Sequence, residues 1–131
     1  MKILFVAPRF HTNQVNWVNA LLENDHNVVF HCLFQGFTEN YGNLKPNIYK
    51  PCLLSRIIDK VIGSGGVNNP RGFPDPINYY RAFINLKPDV VVVRDISRWF
   101  SILVASLGRI TGSQVIIYSQ TELYKSYGPF R

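Results

Sequence analysis

Three apolar runs stand out along this chain: Lys2 to Ala7, Asp89 to Arg94 and Gln114 to Ser119. Each is continuous rather than alternating, and each stops at polar residues. Runs of β-branched residues without a polar face predict strands buried on both sides, as in a parallel sheet with helices above and below. After the first run, Val15, Val18, Leu21 and Leu22 recur at helical spacing behind Thr12 or Asn13, either of which can cap a helix. Val28 to Phe34 then reads as a second strand, residues 35–46 as a turn-rich loop, and Asn47 to Leu53 as the place of a short third strand.

The middle of the chain predicts a helix from Leu54 to Ile62. Leu53, Leu54, Ile57, Ile58, Val61 and Ile62 line one face of it, with Arg56, Asp59 and Lys60 opposite. That pattern has two readings, a helix turned toward the core and a helix lying on a membrane surface. The glycine-rich stretch from Gly63 to Gly72 matches neither a P-loop nor a dinucleotide-binding fingerprint. Asp75 with Pro76 is a cap and first-turn pair for a helix with Ile77, Tyr80, Phe83 and Ile84 on one side, ended by Lys87 and Pro88. Ser97 is placed to cap an apolar helix from Arg98 to Ile110, expected to be buried, and Gly112 to stop it in the left-handed conformation. The tail from Thr121 to Arg131 has no clear period. These elements predict one α/β domain over residues 1–131: a Rossmann-like, doubly wound and mainly parallel sheet of about five strands in a three-layer α/β/α arrangement.

With 131 residues, 47% of them hydrophobic, the chain is long enough to bury a real core. Fourteen Lys and Arg against eight Asp and Glu give a net charge of +6, but the basic residues are scattered. An ordinary basic surface and an affinity for anionic membrane or phosphorylated ligands both fit. Nucleic acid is not expected as a partner, because no reader motif accompanies the charge. Pro8 and Arg9 cut the first apolar run too short for a signal peptide, and Trp99 to Leu107 is far shorter than a bilayer span of roughly 20 residues. Cys32 and Cys52 have no metal-ligand spacing and read as buried free thiols in a reducing compartment, which gives an expectation of a cytoplasmic protein.

In open parallel sheets, ligands bind beyond the carboxyl ends of the strands. The candidate binding residues are therefore His11, Thr12, Asn13 and Gln14 after the first strand, Arg94 and Asp95 after the next long one, and Ser119, Gln120 and Glu122 after the last. Exposed N–H groups at a helix start favour an anion or a sugar hydroxyl there. Each side chain also has a structural role open to it: Thr12 and Asn13 as caps, Arg94 and Asp95 as an ion pair, Glu122 as a solvated acid. No glycine follows the first strand, no Lys-Ser or Lys-Thr follows a glycine-rich loop, and Pro8, Arg9 and Phe10 stand where a receiver would need its acidic cluster. These departures argue against an ordinary NAD site, a P-loop NTPase and a metal-dependent phosphoacceptor. No metal site, no tightly bound cofactor and no catalytic residue is assigned.

Taken in order, Met1 to Pro8, the helix end Leu21 to Phe30 with its Leu-Leu-x-x-x-His-x-Val turn, the Lys87-Pro88-Asp89-Val90-Val91 strand start, and Gln114 to Tyr118 resemble the N-terminal domain of the family 4-like retaining glycosyltransferases. The resemblance spans nearly the whole chain. It implies the two-domain GT-B architecture, in which the N-terminal half binds mainly the acceptor and the C-terminal half holds the nucleotide-sugar donor. Two motifs differ: the Gly-Gly pair common after strand one is replaced by Pro8 to Gln14, and Ser119 and Gln120 stand where many members carry a His. Nothing in the chain resembles the donor half.

The resemblance thus implies the acceptor-side piece of a longer enzyme that moves a sugar onto a polysaccharide, lipopolysaccharide or glycolipid acceptor. The piece alone would be inactive, and a donor nucleotide would bind only in the full-length enzyme. The expected partners are a sugar or lipid-linked acceptor, the C-terminal donor domain and peripherally the cytoplasmic face of the inner membrane. The alternative is a stand-alone flavodoxin-like binding or scaffold module for a small anion or a protein partner.

Overall fold

The structure, a computed structural model, describes residues 1–10, 12–34, 44–62 and 71–119, with the side chains of 12 and 13 excepted. The elements run β1 (Lys2–Val6), α1 (Thr12–Glu23), β2 (Asn27–Cys32), β3 (Asn47–Ile48), α2 (Leu53–Ile62), α3 (Pro76–Leu86), β4 (Val90–Arg94), α4 (Trp99–Thr111) and β5 (Gln114–Tyr118). All strand pairs are parallel, in the order β3-β2-β1-β4-β5. The sheet is therefore doubly wound, and its winding reverses between β1 and β4. It is a small Rossmann-like three-layer α/β fold.

Both sheet faces are apolar, as the continuous runs predict. On one face Ile3, Phe5, Val28, Phe30 and Val90 meet Val18 of α1 and Phe10. On the other, Leu4, Val6, Val91 and Val93 meet Tyr79 and Phe83 of α3 and Phe100 and Val104 of α4. Successive strand residues point to opposite faces, so each strand needs apolar residues at every position. α4 lies close on the sheet because Gly108 has no side chain: a Cβ there would stand 2.9 Å from Val115 Cγ2 and 3.4 Å from Val91 Cγ2.

Local signals set the helix ends. Asp75 accepts hydrogen bonds from the backbone N–H of Ile77 (2.9 Å) and Asn78 (3.1 Å), Pro76 opens the first turn, and Gly112 closes α4 at φ 86°. Ser97 does not cap α4: the capping position is Arg98, which offers its helix no side-chain hydrogen bond. The buried side of α3 is also rotated from the expected one. Tyr79 and Phe83 face the sheet, whereas Ile77 and Tyr80 are exposed. Tyr79, Phe83 and Leu86 follow the same helical spacing equally well, and the aromatic pair fills more of the space over β1 and β4.

Three expectations about burial fail for one reason, the lack of a covering neighbour among the described residues. β5 is an edge strand with Ile116 and Ile117 exposed, not a strand buried on both sides. α4 buries only one face, leaving Trp99, Ile102 and Ile110 outward. α2 contributes no residue to either core cluster; its one buried residue is Ser55, and its apolar face is turned outward. Cys32 is buried and Cys52 half-buried, and neither is in a disulfide.

His31 on β2 is a buried polar residue on the α3 side of the core. Its Nδ1 lies 2.8 Å from the Tyr79 hydroxyl, and the Tyr49 ring packs 4.7 Å away, centre to centre. Burial lowers its pKa from 6.5 to about 4. The unfolded chain therefore binds a proton that the folded chain resists, so stability is full above pH 6.5 and falls as the pH drops from there toward 4. The loss from this group alone should approach about 3 kcal/mol. Urea midpoints measured across that range should fall for the native chain and fall markedly less for His31→Gln.

Candidate functional site

The reversal of winding between β1 and β4 opens the crevice in which doubly wound sheets bind ligands. On the β1 side the chain leaves the strand as a plug. Pro8 O accepts hydrogen bonds from Leu33 N (2.9 Å) and Phe34 N (3.3 Å), and the buried Phe10 ring stacks on Phe30 with centres 4.1 Å apart. These contacts tie the loop back over β2.

On the β4 side the chain turns sharply at Asp95. Its φ of 54° places it in the left-handed region, uncommon for any residue but glycine and best tolerated by Asp and Asn. The turn is held from three sides. Asp95 N donates to Tyr118 O (2.9 Å), Asp95 O accepts from Arg98 N (3.0 Å), and Ser101 Oγ donates to Arg94 O (2.5 Å). A residue in this conformation costs on the order of 1 kcal/mol, which the surrounding contacts must offset. What the turn achieves is position: the Asp95 carboxylate lies 3.3 Å from Arg94 Nε and accepts a hydrogen bond from Ser119 Oγ at 3.0 Å.

Arg94 and Tyr118 are register partners on neighbouring strands. Both occupy positions on the α1 face, where the Tyr118 hydroxyl accepts a hydrogen bond from Gln14 Nε2. Gln14 is fully buried, and Trp17 packs edge-on against the Tyr118 ring at 5.6 Å. The first turns of α1 are thus joined to the end of β5 across the mouth of the crevice. Burial raises the Tyr118 pKa, against a smaller opposing pull from the Gln14 hydrogen bond and the Arg94 charge. The phenol stays protonated near neutrality and can donate as well as accept.

Among the described residues, charge at this rim is positive on balance. Arg94 and Arg98 share the single carboxylate of Asp95, and burial followed by the Arg94 charge works against the Arg98 guanidinium while Asp95 supports it. Arg94 Nε is buried and pairs with Asp95 only electrostatically, without hydrogen-bonding geometry to any acceptor among the described residues. The adjoining α4 start has no side-chain cap. Together these groups offer donors and positive potential to an oxygen-rich or anionic ligand. Among the described residues no group of His, Cys, Asp and Glu could hold a metal ion.

Of the expected site residues, the fold brings Gln14, Arg94, Asp95 and Ser119 to this crevice. Gln14 is there as a buried brace rather than an open contact. His11, Gln120 and Glu122, and the side chains of Thr12 and Asn13, lie outside the described residues. Tyr118, Trp17 and Arg98 belong to the rim although the sequence pattern does not single them out. Tyr118 carries one signal, a hydroxyl-bearing aromatic ending an otherwise aliphatic run.

No protein-family model, curated protein or solved structure matches this chain. The Gln14–Tyr118 bond gives a first test of the crevice's construction. Tyr118→Phe leaves the buried amide of Gln14 without that acceptor and should lower stability by about 1–3 kcal/mol. Adding Gln14→Leu should restore part of the loss, so a thermal double-mutant cycle should be clearly non-additive.

Proposed function

We propose that this chain is the acceptor-side half of a retaining, GT-B-type glycosyltransferase, as its ordered sequence features imply. The observation that carries the reading is the crevice at the β1/β4 reversal, where Asp95 is ion-paired with Arg94 and hydrogen-bonded to Ser119 and to the backbone of Tyr118, the register partner of Arg94. Carboxylate, guanidinium and hydroxyl groups together match the alternating donor and acceptor demands of sugar hydroxyls. Arg94 and Arg98 would orient a phosphate attached to such an acceptor, as a lipid-linked sugar carries. The acceptor would be a polysaccharide, lipopolysaccharide or glycolipid precursor, with the donor held by a second domain that closes over the crevice.

The loop after β1 supports the assignment of this half to the acceptor. A plug of Pro8 to Phe10 with no glycine gives a pyrophosphate no close backbone approach. Titrating the chain calorimetrically with UDP- and GDP-sugars should therefore give no binding tighter than about 10 µM, worth roughly 7 kcal/mol. Tighter binding would move the donor site onto this half.

The reading is tested most directly at Arg94. In the two-domain enzyme, Arg94→Ala removes charge-assisted hydrogen bonds worth about 1.5–3 kcal/mol, so kcat/KM should fall about ten- to a hundredfold. The folded fraction should change little, because a partly exposed ion pair on a strand-end turn contributes about 1 kcal/mol at most. An Arg94→Ala enzyme that melts early yet turns over normally while folded would make Arg94 a brace for Asp95 and remove it from the site.

A further inference from the structure

The most conspicuous unused feature outside the crevice is α2. Leu53, Ile57 and Val61, one turn apart and on one face, are 72%, 48% and 80% exposed, with Leu54 and Ile62 exposed beside them. A helix of a soluble domain normally buries such a face. Here the helix is held the other way round. Ser55 is its buried residue, with Oγ accepting from Phe73 N (3.2 Å) and near Arg71 O (3.5 Å), and Cys52 N donates to Phe73 O (3.0 Å) just before the first turn. Those bonds anchor the polar side to the body and turn the apolar side out.

The neighbouring ridge of the same helix carries Arg56 and Lys60, one turn apart, both exposed, and the exposed Lys50 precedes the helix. Asp59, the acid of α2, lies toward the Ser55 side. An apolar line flanked by a basic ridge is the arrangement of a helix lying in a bilayer interface, where the lysine and arginine stems cover apolar surface and their heads reach lipid phosphates.

A second surface adjoins it. Phe73, which receives the α2 anchor, stacks on the half-exposed Trp99 with ring centres 5.8 Å apart. With Pro76, Ile102 and Leu103 they line an apolar groove of about 400 Å³. Indole rings favour the depth of lipid headgroups. The groove lies between the starts of α3 and α4, the same end of the sheet as the Asp95 turn.

We infer that α2 docks this protein peripherally on an anionic lipid bilayer, with Leu53, Ile57 and Val61 entering the interface and Arg56 and Lys60 on the headgroups. The charge pattern selects the bilayer over a protein partner, because the apolar line is edged by cations and no acid shares that ridge. The docking stands independently of glycosyl transfer. If that reading also holds, docking sets the strand-end crevice beside the headgroup layer, where the sugar of a lipid-linked acceptor is presented.

Flotation of the purified chain with vesicles of phosphatidylcholine, alone or with roughly one third phosphatidylglycerol, tests the inference. The expected result is binding to the anionic vesicles that weakens with salt. Each basic residue near the surface is worth about a fivefold change in partitioning, so Arg56→Gln with Lys60→Gln should weaken it about thirtyfold. Ile57→Asp should abolish it while leaving the thermal transition in place, the side chain being exposed. Ser119→Ala, a change in the crevice that removes no charge, should float like the native chain, which separates docking from the crevice. Absence of flotation, equal flotation on both vesicle types, or a dimer in sedimentation that Ile57→Asp dissociates would each overturn it.

Discussion

Parallel strands joined by crossovers must be covered on both faces, and β1 and β4 are the pair on which that demand falls hardest. Leu4 and Val91 look one way and Phe5 and Val92 the other, so α1 must lie on one side of them and α3 with α4 on the other. Covering both faces means winding outward from this pair in both directions, and the two connections part at its carboxyl end. The crevice is therefore a consequence of satisfying the sheet. The plug at Phe10, the left-handed turn at Asp95 and the brace from Gln14 to Tyr118 are three ways of finishing strands whose ends the winding has left open.

Those finishing devices differ in what they leave for a ligand. The β1 end is closed by its own ring and carbonyl contacts. The β4 end is held by backbone bonds, which leaves side chains of Arg94, Asp95 and Ser119 to interact among themselves and with whatever enters. Arg94 is the telling case: its Nε is buried and electrostatically paired, yet has no hydrogen-bond acceptor among the described residues. Buried donors are normally satisfied, so an exception beside a crevice calls for an explanation, and an oxygen of an incoming ligand is one. The same rim carries the starts of α3 and α4, so the crevice, the apolar groove and the attachment of α2 share one end of the domain. On the reading proposed above, that grouping would join recognition of the sugar to residence at the surface. None of the described helices is long and apolar enough to cross a membrane, and docking through α2 requires none to be.

The sequence by itself determined what depends on neighbours along the chain. Continuous runs identify the sheet as parallel, Asp75 with Pro76 starts a helix because a carboxylate reaches N–H groups two and three residues on, and Gly112 ends one because its backbone accepts φ 86°. The position of the crevice follows from strand order, and Arg94, Asp95 and Ser119 were legible as residues at or just beyond strand ends. Tertiary structure decided everything that depends on what stands opposite. Gln14 and Tyr118 are 104 residues apart, and no periodicity pairs them. Tyr79 and Phe83 displace Ile77 and Tyr80 from the core because the space above β1 and β4 accepts rings, a fact about the sheet rather than the helix. The amphipathic pattern of α2 says that one face differs from the other but not which is turned inward. Two hydrogen bonds, Phe73 N to Ser55 Oγ and Cys52 N to Phe73 O, settle that, and periodicity carries no information about where such anchors lie.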